Sequence, residues 1–97
     1  SGVVMERCPV CRARFKDEPV CYRCGADLST LLAIETESAA LEQQAVALLE
    51  VGQPLEARRT AEQALMLQYS TLAAAVQDFA YRELVADEAR RLERLLR

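Results

Sequence analysis

Along residues 27–97 apolar positions recur at intervals of three and four, and no stretch alternates as a half-buried strand does, so this part of the chain is predicted to be helical. Asp27 or Ser29 can cap a first helix. In it Ile34, Leu41, Ala45 and Leu48 share one face, and Leu28, Leu32 and Val46 an adjoining one, an arc wide enough to predict contact on two sides. Gly52-Gln53-Pro54 joins a residue suited to the position past a helix end to one suited to a first turn, which predicts a reversal and a second helix from about Leu55. Ala57, Ala61 and Ala64 then fall at i, i+4 and i+7, a smooth stripe that lets the first helix pack closely.

Ser70 or Thr71 can cap a third helix that runs to the end of the chain, and its apolar pattern changes face. At about 100° per residue, Leu72, Val76 and Phe79 cluster on one side, whereas Tyr81, Val85, Leu92 and Leu96 cluster almost opposite. One hairpin can bury only one of these sets. Either the helix breaks near Leu84 to Asp87, or the second set meets a protein partner or another copy of the chain. The Ala, Glu, Arg and Leu of this stretch carry no breaking signal, which favours the second alternative. Arg90, Arg94 and Arg97 lie away from that set and read as a solvated face, and Met66 reads as core filling.

Ninety-seven residues suffice for one domain, or a small domain with a helical extension. Five aromatic residues, three glycines and three prolines, in a chain that is 52% hydrophobic and rich in Ala and Leu, favour a mostly α architecture over a sandwich or barrel. The net charge of −3 argues against a field that holds duplex nucleic acid non-specifically. There is neither an apolar run of membrane-spanning length nor a signal-peptide pattern, so a cytoplasmic chain that does not engage membranes is expected.

Candidate chemistry is concentrated at the amino end. Cys8, Cys11, Cys21 and Cys24 form C-x2-C-x9-C-x2-C, in which each pair can wrap two sulfurs around one ion and the two turns together supply a tetrahedron of thiolates. Four thiolates leave no open coordination position, and the chain has no histidine, so the expected ion is a structural Zn2+ rather than a catalytic one. The segment from Arg7 to Gly25 is too short to bury a core, so its folding is expected to depend on the metal. Iron held by the same sulfurs for electron transfer is the rival.

The stretch Cys8 to Leu28, with Cys-Pro-Val-Cys, a Phe15-containing segment and Cys24-Gly25-Ala26-Asp27-Leu28, resembles the bacterial and archaeal zinc-ribbon family. The resemblance implies a short β hairpin with two knuckles, Cys8, Cys11, Cys21 and Cys24 as zinc ligands, and Val10, Phe15 and Val20 packed beneath them. Each knuckle of that family usually ends in glycine; Gly25 fits, and Arg12 stands at the other place. The run Leu41 to Leu67, with Ala45, Leu48, Gly52, Glu56-Ala57, Ala64-Leu65 and Leu67, resembles one tetratricopeptide repeat, departing from it at Ala61 and Tyr69. That implies a helical hairpin that receives a peptide or helix in a groove. A zinc ribbon over residues 1–26 is thus expected to be joined rigidly to helices over 27–97, since Asp27 and Leu28 follow Cys24 too closely for a hinge.

Without a histidine, a Gly-rich phosphate loop or an exposed-nucleophile motif, neither an enzyme nor a small-molecule substrate is expected. The leading expectation is a non-catalytic, zinc-stabilised adaptor or scaffold whose helical surface, with Tyr81, Val85, Leu92 and Leu96, meets a protein partner or a second copy. The alternative is a nucleic-acid-binding ribbon of transcription or translation, with Arg12, Arg14, Lys16, Tyr22 and Arg23 as its basic-aromatic face. Against it, residues 25–97 hold seven basic and twelve acidic groups, a balance that repels phosphate over most of the surface.

Overall fold

The computed structural model describes residues 6–16 and 18–97. Three helices follow one another: α1 (Ser29–Glu50), α2 (Pro54–Leu67) and α3 (Thr71–Leu95). They pack in chain order as antiparallel neighbours in a molecule 69 × 18 × 16 Å, with the cysteine segment at one end and the last turns of α3 at the other. No helix among the described residues is long and apolar enough to cross a membrane.

The reversal between α1 and α2 follows from Gly52. Its φ of 78° is left-handed, and this lets the Gln53 amide donate back to the Leu48 carbonyl at 2.9 Å and the Gly52 amide to Leu49 at 3.2 Å. Those bonds satisfy carbonyls that the helix end leaves open, and Pro54, which has no amide hydrogen to lose, begins α2. The start of α3 is fixed differently. Ser70 is its N-cap, and the hydroxyl oxygen accepts from the Ala73 amide at 3.2 Å. The α1 start lacks a side-chain cap at Leu28, although Asp27 Oδ1 accepts from the Ser29 amide at 3.0 Å.

Ala45, Ala57, Ala61, Val76 and Ala80 form the helical core, with Val46, Leu48, Leu49 and Leu72 packed around it. Four of those five core residues are alanines with no exposed surface, so the three backbones approach closely and any larger side chain there would force them apart. A polar seam continues the same interface. Ser38 donates from Oγ to the Ala64 carbonyl at 3.5 Å, and Ser70 Oγ, besides capping α3, donates to the buried Glu42 carboxylate on α1. One side chain thereby ties the start of α3 to the middle of α1.

α3 is continuous through Leu84 to Asp87, so the change of apolar face is not resolved by a break. Two expectations about its neighbours fail. Met66, near the end of α2, is 85% exposed because α1 and α3 both flank the opposite, alanine-lined face; Phe79 is half exposed because Val76 and Ala80 take the inward direction. The short β hairpin expected in the cysteine segment is also absent from the described residues, which contain only two isolated antiparallel bridges, Arg7 with Arg14 and Val20 with Asp27. Each bridge closes one knuckle on itself, so backbone pairing is used up within each turn rather than between two long arms.

Candidate metal centre

The two knuckles are the same structure built twice, thirteen residues apart. In the first, the Arg12 amide donates to the Cys8 carbonyl at 2.9 Å, the Cys8 amide to Ala13 at 2.8 Å and the Phe15 amide to Glu6 at 2.9 Å. The second repeats each bond: Gly25 to Cys21 at 2.9 Å, Cys21 to Ala26 at 2.9 Å, and Leu28 to Pro19. Arg12 and Gly25 hold the equivalent left-handed positions, with φ of 65° and 75°. Arginine thus adopts the conformation that glycine adopts in the other copy, and Arg7 NH1 donates to the Arg12 carbonyl at 3.1 Å.

Facing each other, the knuckles bring Cys8, Cys11, Cys21 and Cys24 together, all four sulfurs lying within 4.8 Å of one another. Cys8 Sγ lies 3.7 Å from Cys24 Sγ, and Cys11 Sγ 3.7 Å from Cys21 Sγ. A tetrahedron with metal–sulfur bonds of about 2.3 Å has edges of about 3.8 Å, which these two sulfur pairs match. The four cysteines are free thiols rather than disulfides. These four side chains can hold a metal ion.

Burial is graded across the cluster. Cys8 and Cys21, the first cysteine of each knuckle, are buried, Cys11 is half buried and Cys24 is exposed. Amide hydrogens of Cys11 and Val10 directed at the Cys8 sulfur lower its pKa from the ordinary thiol value. Those of Cys24 and Arg23 do the same at Cys21 and bring it down to about 6. At Cys24 the Ala26 amide favours the thiolate, but lost solvation and the three neighbouring sulfurs outweigh it and push the value up to about 12. The backbone therefore prepares some sulfurs as anions, while their mutual repulsion keeps a proton on the cluster until a cation replaces it.

The residues under the sulfurs differ from those expected. Val10, in the turn between Cys8 and Cys11, and Val20, in the bridge to Asp27, are both exposed; Phe15 does pack against the cluster, half buried. The main contacts come from Ala13, 5% exposed, and Leu28, 2% exposed. Leu28 occupies in the second knuckle the place of Phe15 in the first, and it also immediately precedes α1, so the buried base of the centre and the start of the helical part are one residue. The sequence signal for this was the thirteen-residue offset in Cys-x-x-Cys-x-Ala-x-apolar, which aligns Ala13 with Ala26 and Phe15 with Leu28.

The basic-aromatic set is only partly assembled. Lys16 Nζ sits 4.3 Å from the centroid of the Tyr22 ring, while Arg12, Arg14 and Arg23 are exposed around the knuckles. On α3, Tyr81 is half exposed with the Arg58 guanidinium of α2 5.1 Å from its ring centroid, and Val85, Leu92 and Leu96 are exposed with no such cover. Leu95 is exposed beside them and was missed, since it falls at the edge of the face in the sequence pattern. No family model, curated protein or solved structure matches the chain.

Proposed function

We propose that the chain is a non-catalytic interaction module in which a zinc ion, held by Cys8, Cys11, Cys21 and Cys24, fastens a ribbon-like cap to a tetratricopeptide-like helical hairpin. The observation that carries this reading is the closure of the cluster. Two matched knuckles supply four sulfurs within 4.8 Å of one another, and an ion bound by all four has no vacant coordination position for a substrate. When bound, the ion would offset half of the charge of the four thiolates and supply the folding energy that so short a segment lacks. Leu28 passes that order directly to α1. The helical surface is then the working part, with Tyr81, Val85, Leu92 and Leu96 directed outward for a protein partner or a second copy.

The test pairs metal analysis with partner capture. Protein purified from native cells is expected to carry one zinc per chain and to retain its bound protein when Arg14 and Arg23 are changed to Glu, and to lose it when Val85 and Leu92 are changed to Asp. A red, iron-loaded protein would favour electron transfer instead. The second reading, nucleic-acid binding, draws on the exposure of Arg12, Arg14 and Arg23 around the knuckles. Polarisation of a labelled single strand at low salt tests it, and no change in signal would dispose of it.

A further inference from the structure

We infer that the last turns of α3 pair antiparallel with the same segment of a second copy of the chain. This rests on the reading of the helical surface as an interface and names its occupant. The α1–α2 turn reaches only the level of Phe79 to Asp87, where Leu49, Gly52 and Pro54 line a cleft with Phe79, Glu83 and Asp87. Beyond it, every residue from Asp87 to Arg97 is exposed. These turns propagate from the packed half of α3 and carry only exposed ion pairs, Asp87 with Arg90, Glu88 with Arg91 and Glu93 with Arg97, so their apolar side chains have no packing within the chain.

The spacing of the apolar residues identifies what covers them. Tyr81, Val85, Leu92 and Leu96 are separated by four, seven and four positions, a pattern that reads the same in both directions. An antiparallel twofold centred between Glu88 and Ala89 sets Tyr81 beside Leu96 of the second copy and Val85 against its Leu92, twice over, with Leu95 filling the margin. A parallel pair or an unrelated partner requires no such symmetry.

Charge follows the same centre. Arg82 and Glu93 flank the apolar face on one side, six and a half positions before and four and a half after the twofold, so the antiparallel arrangement brings each Arg82 within two residues, about 3 Å along the axis, of the level of the other copy's Glu93. Within one chain these groups are held in exposed pairs, Arg82 with Asp78 and Glu93 with Arg97, both at 2.8 Å, which exchange partners at little cost. Glu88, nearest the twofold, is neutralised by Arg91 of its own helix at 2.9 Å, so the two copies do not meet there as bare carboxylates.

Five exposed apolar side chains offer on the order of 500 Å² per copy, about 1,000 Å² for the pair, just under the roughly 1,200 Å² at which stable specific interfaces begin. A reversible dimer is therefore expected, and sedimentation velocity of the full metal-loaded chain over a wide concentration range tests it. The wild type should pass from monomer to dimer with concentration, and Leu92→Asp should stay monomeric with its helix content retained. Arg82→Glu and Glu93→Arg should each raise the dissociation constant by about tenfold, and the double variant should return it to within about threefold of wild type. A dimer that forms without such rescue overturns the antiparallel register. A chain monomeric at every concentration overturns the pairing; if Val85→Asp/Leu92→Asp still abolishes capture of a different protein, the interaction reading survives that failure, and if it does not, both fall.

Discussion

Arg12 and Gly25 occupy matched left-handed positions, one with a side chain and one without, so exchanging them separates backbone strain from sulfur chemistry at the metal centre. A residue bearing a Cβ loses about 1–2 kcal/mol in this conformation, and Arg12→Gly removes that penalty. Glycine's wider freedom in the unfolded chain takes back about 0.5–1 kcal/mol, leaving a net gain of about 0.5–1 kcal/mol. Because binding the ion folds the knuckle, the gain should appear as metal affinity raised about two- to fivefold. Gly25→Ala should move it the other way by a similar factor: a Cβ at Gly25 meets nothing within 4 Å, so its effect is conformational alone. Arg12→Ala keeps the left-handed strain while removing the guanidinium, and it measures any contribution of that charge beside the sulfurs. Competition against a chromophoric chelator at neutral pH resolves changes of this size. If Arg12→Gly binds no tighter than Arg12→Ala, or if Arg12→Gly and Gly25→Ala shift affinity in the same direction, the assignment of the two knuckles as equivalent backbone turns is wrong.

Three further outcomes follow from the same geometry. Ser70→Ala removes both the α3 cap and a hydrogen bond to the buried Glu42 carboxylate, and should lower stability by about 2–4 kcal/mol in urea titration, more than loss of a cap alone. Ala61→Leu thrusts a larger side chain between backbones that leave Ala61 no exposed surface, and should cost about 1–3 kcal/mol in the same titration. Acid should release the metal: backbone amides that bring Cys21 from 9.0 down to about 6 favour its thiolate, so that contribution to the folded knuckle is present above 9.0 and lost as pH falls through about 6, while Cys24, pushed up to about 12, must give up its proton for the ion to bind. Metal binding, which needs all four thiolates, should therefore liberate protons and weaken steadily as pH is lowered, and a loaded chain that binds equally well across that range would contradict the cluster.

The helices were legible because their determinants are local. Gly52 and Pro54 mark the reversal, Ser70 marks the α3 start, and the alanine stripe of α2 marks the close interface, each through chemistry contained within a few residues. The cysteine spacing was equally direct. What sequence could not show was how backbone pairing divides between the knuckles, because the choice between one long hairpin and two self-closed turns depends on bridges such as Arg7 with Arg14 that carry no side-chain signature. Val20 faces outward for that reason, in its bridge with Asp27. Met66 and Phe79 lie outside because alanine-sized contacts fill the interface, and apolar character alone does not imply burial. The Ser70–Glu42 bond joins residues 28 apart and has no pattern in the sequence to announce it.

The central claim is that an ion clamped by four sulfurs orders the amino-terminal segment and fixes it to the helices. Amide hydrogen exchange on the purified chain, with metal content determined on the same sample before and after a strong chelator, tests this most directly. One zinc per chain is expected, with the amides of Cys8, Arg12, Cys21, Gly25 and Leu28 protected while it is bound and exchanging freely once it is removed. Undiminished protection of those five amides in a chain that carries no metal would contradict the account.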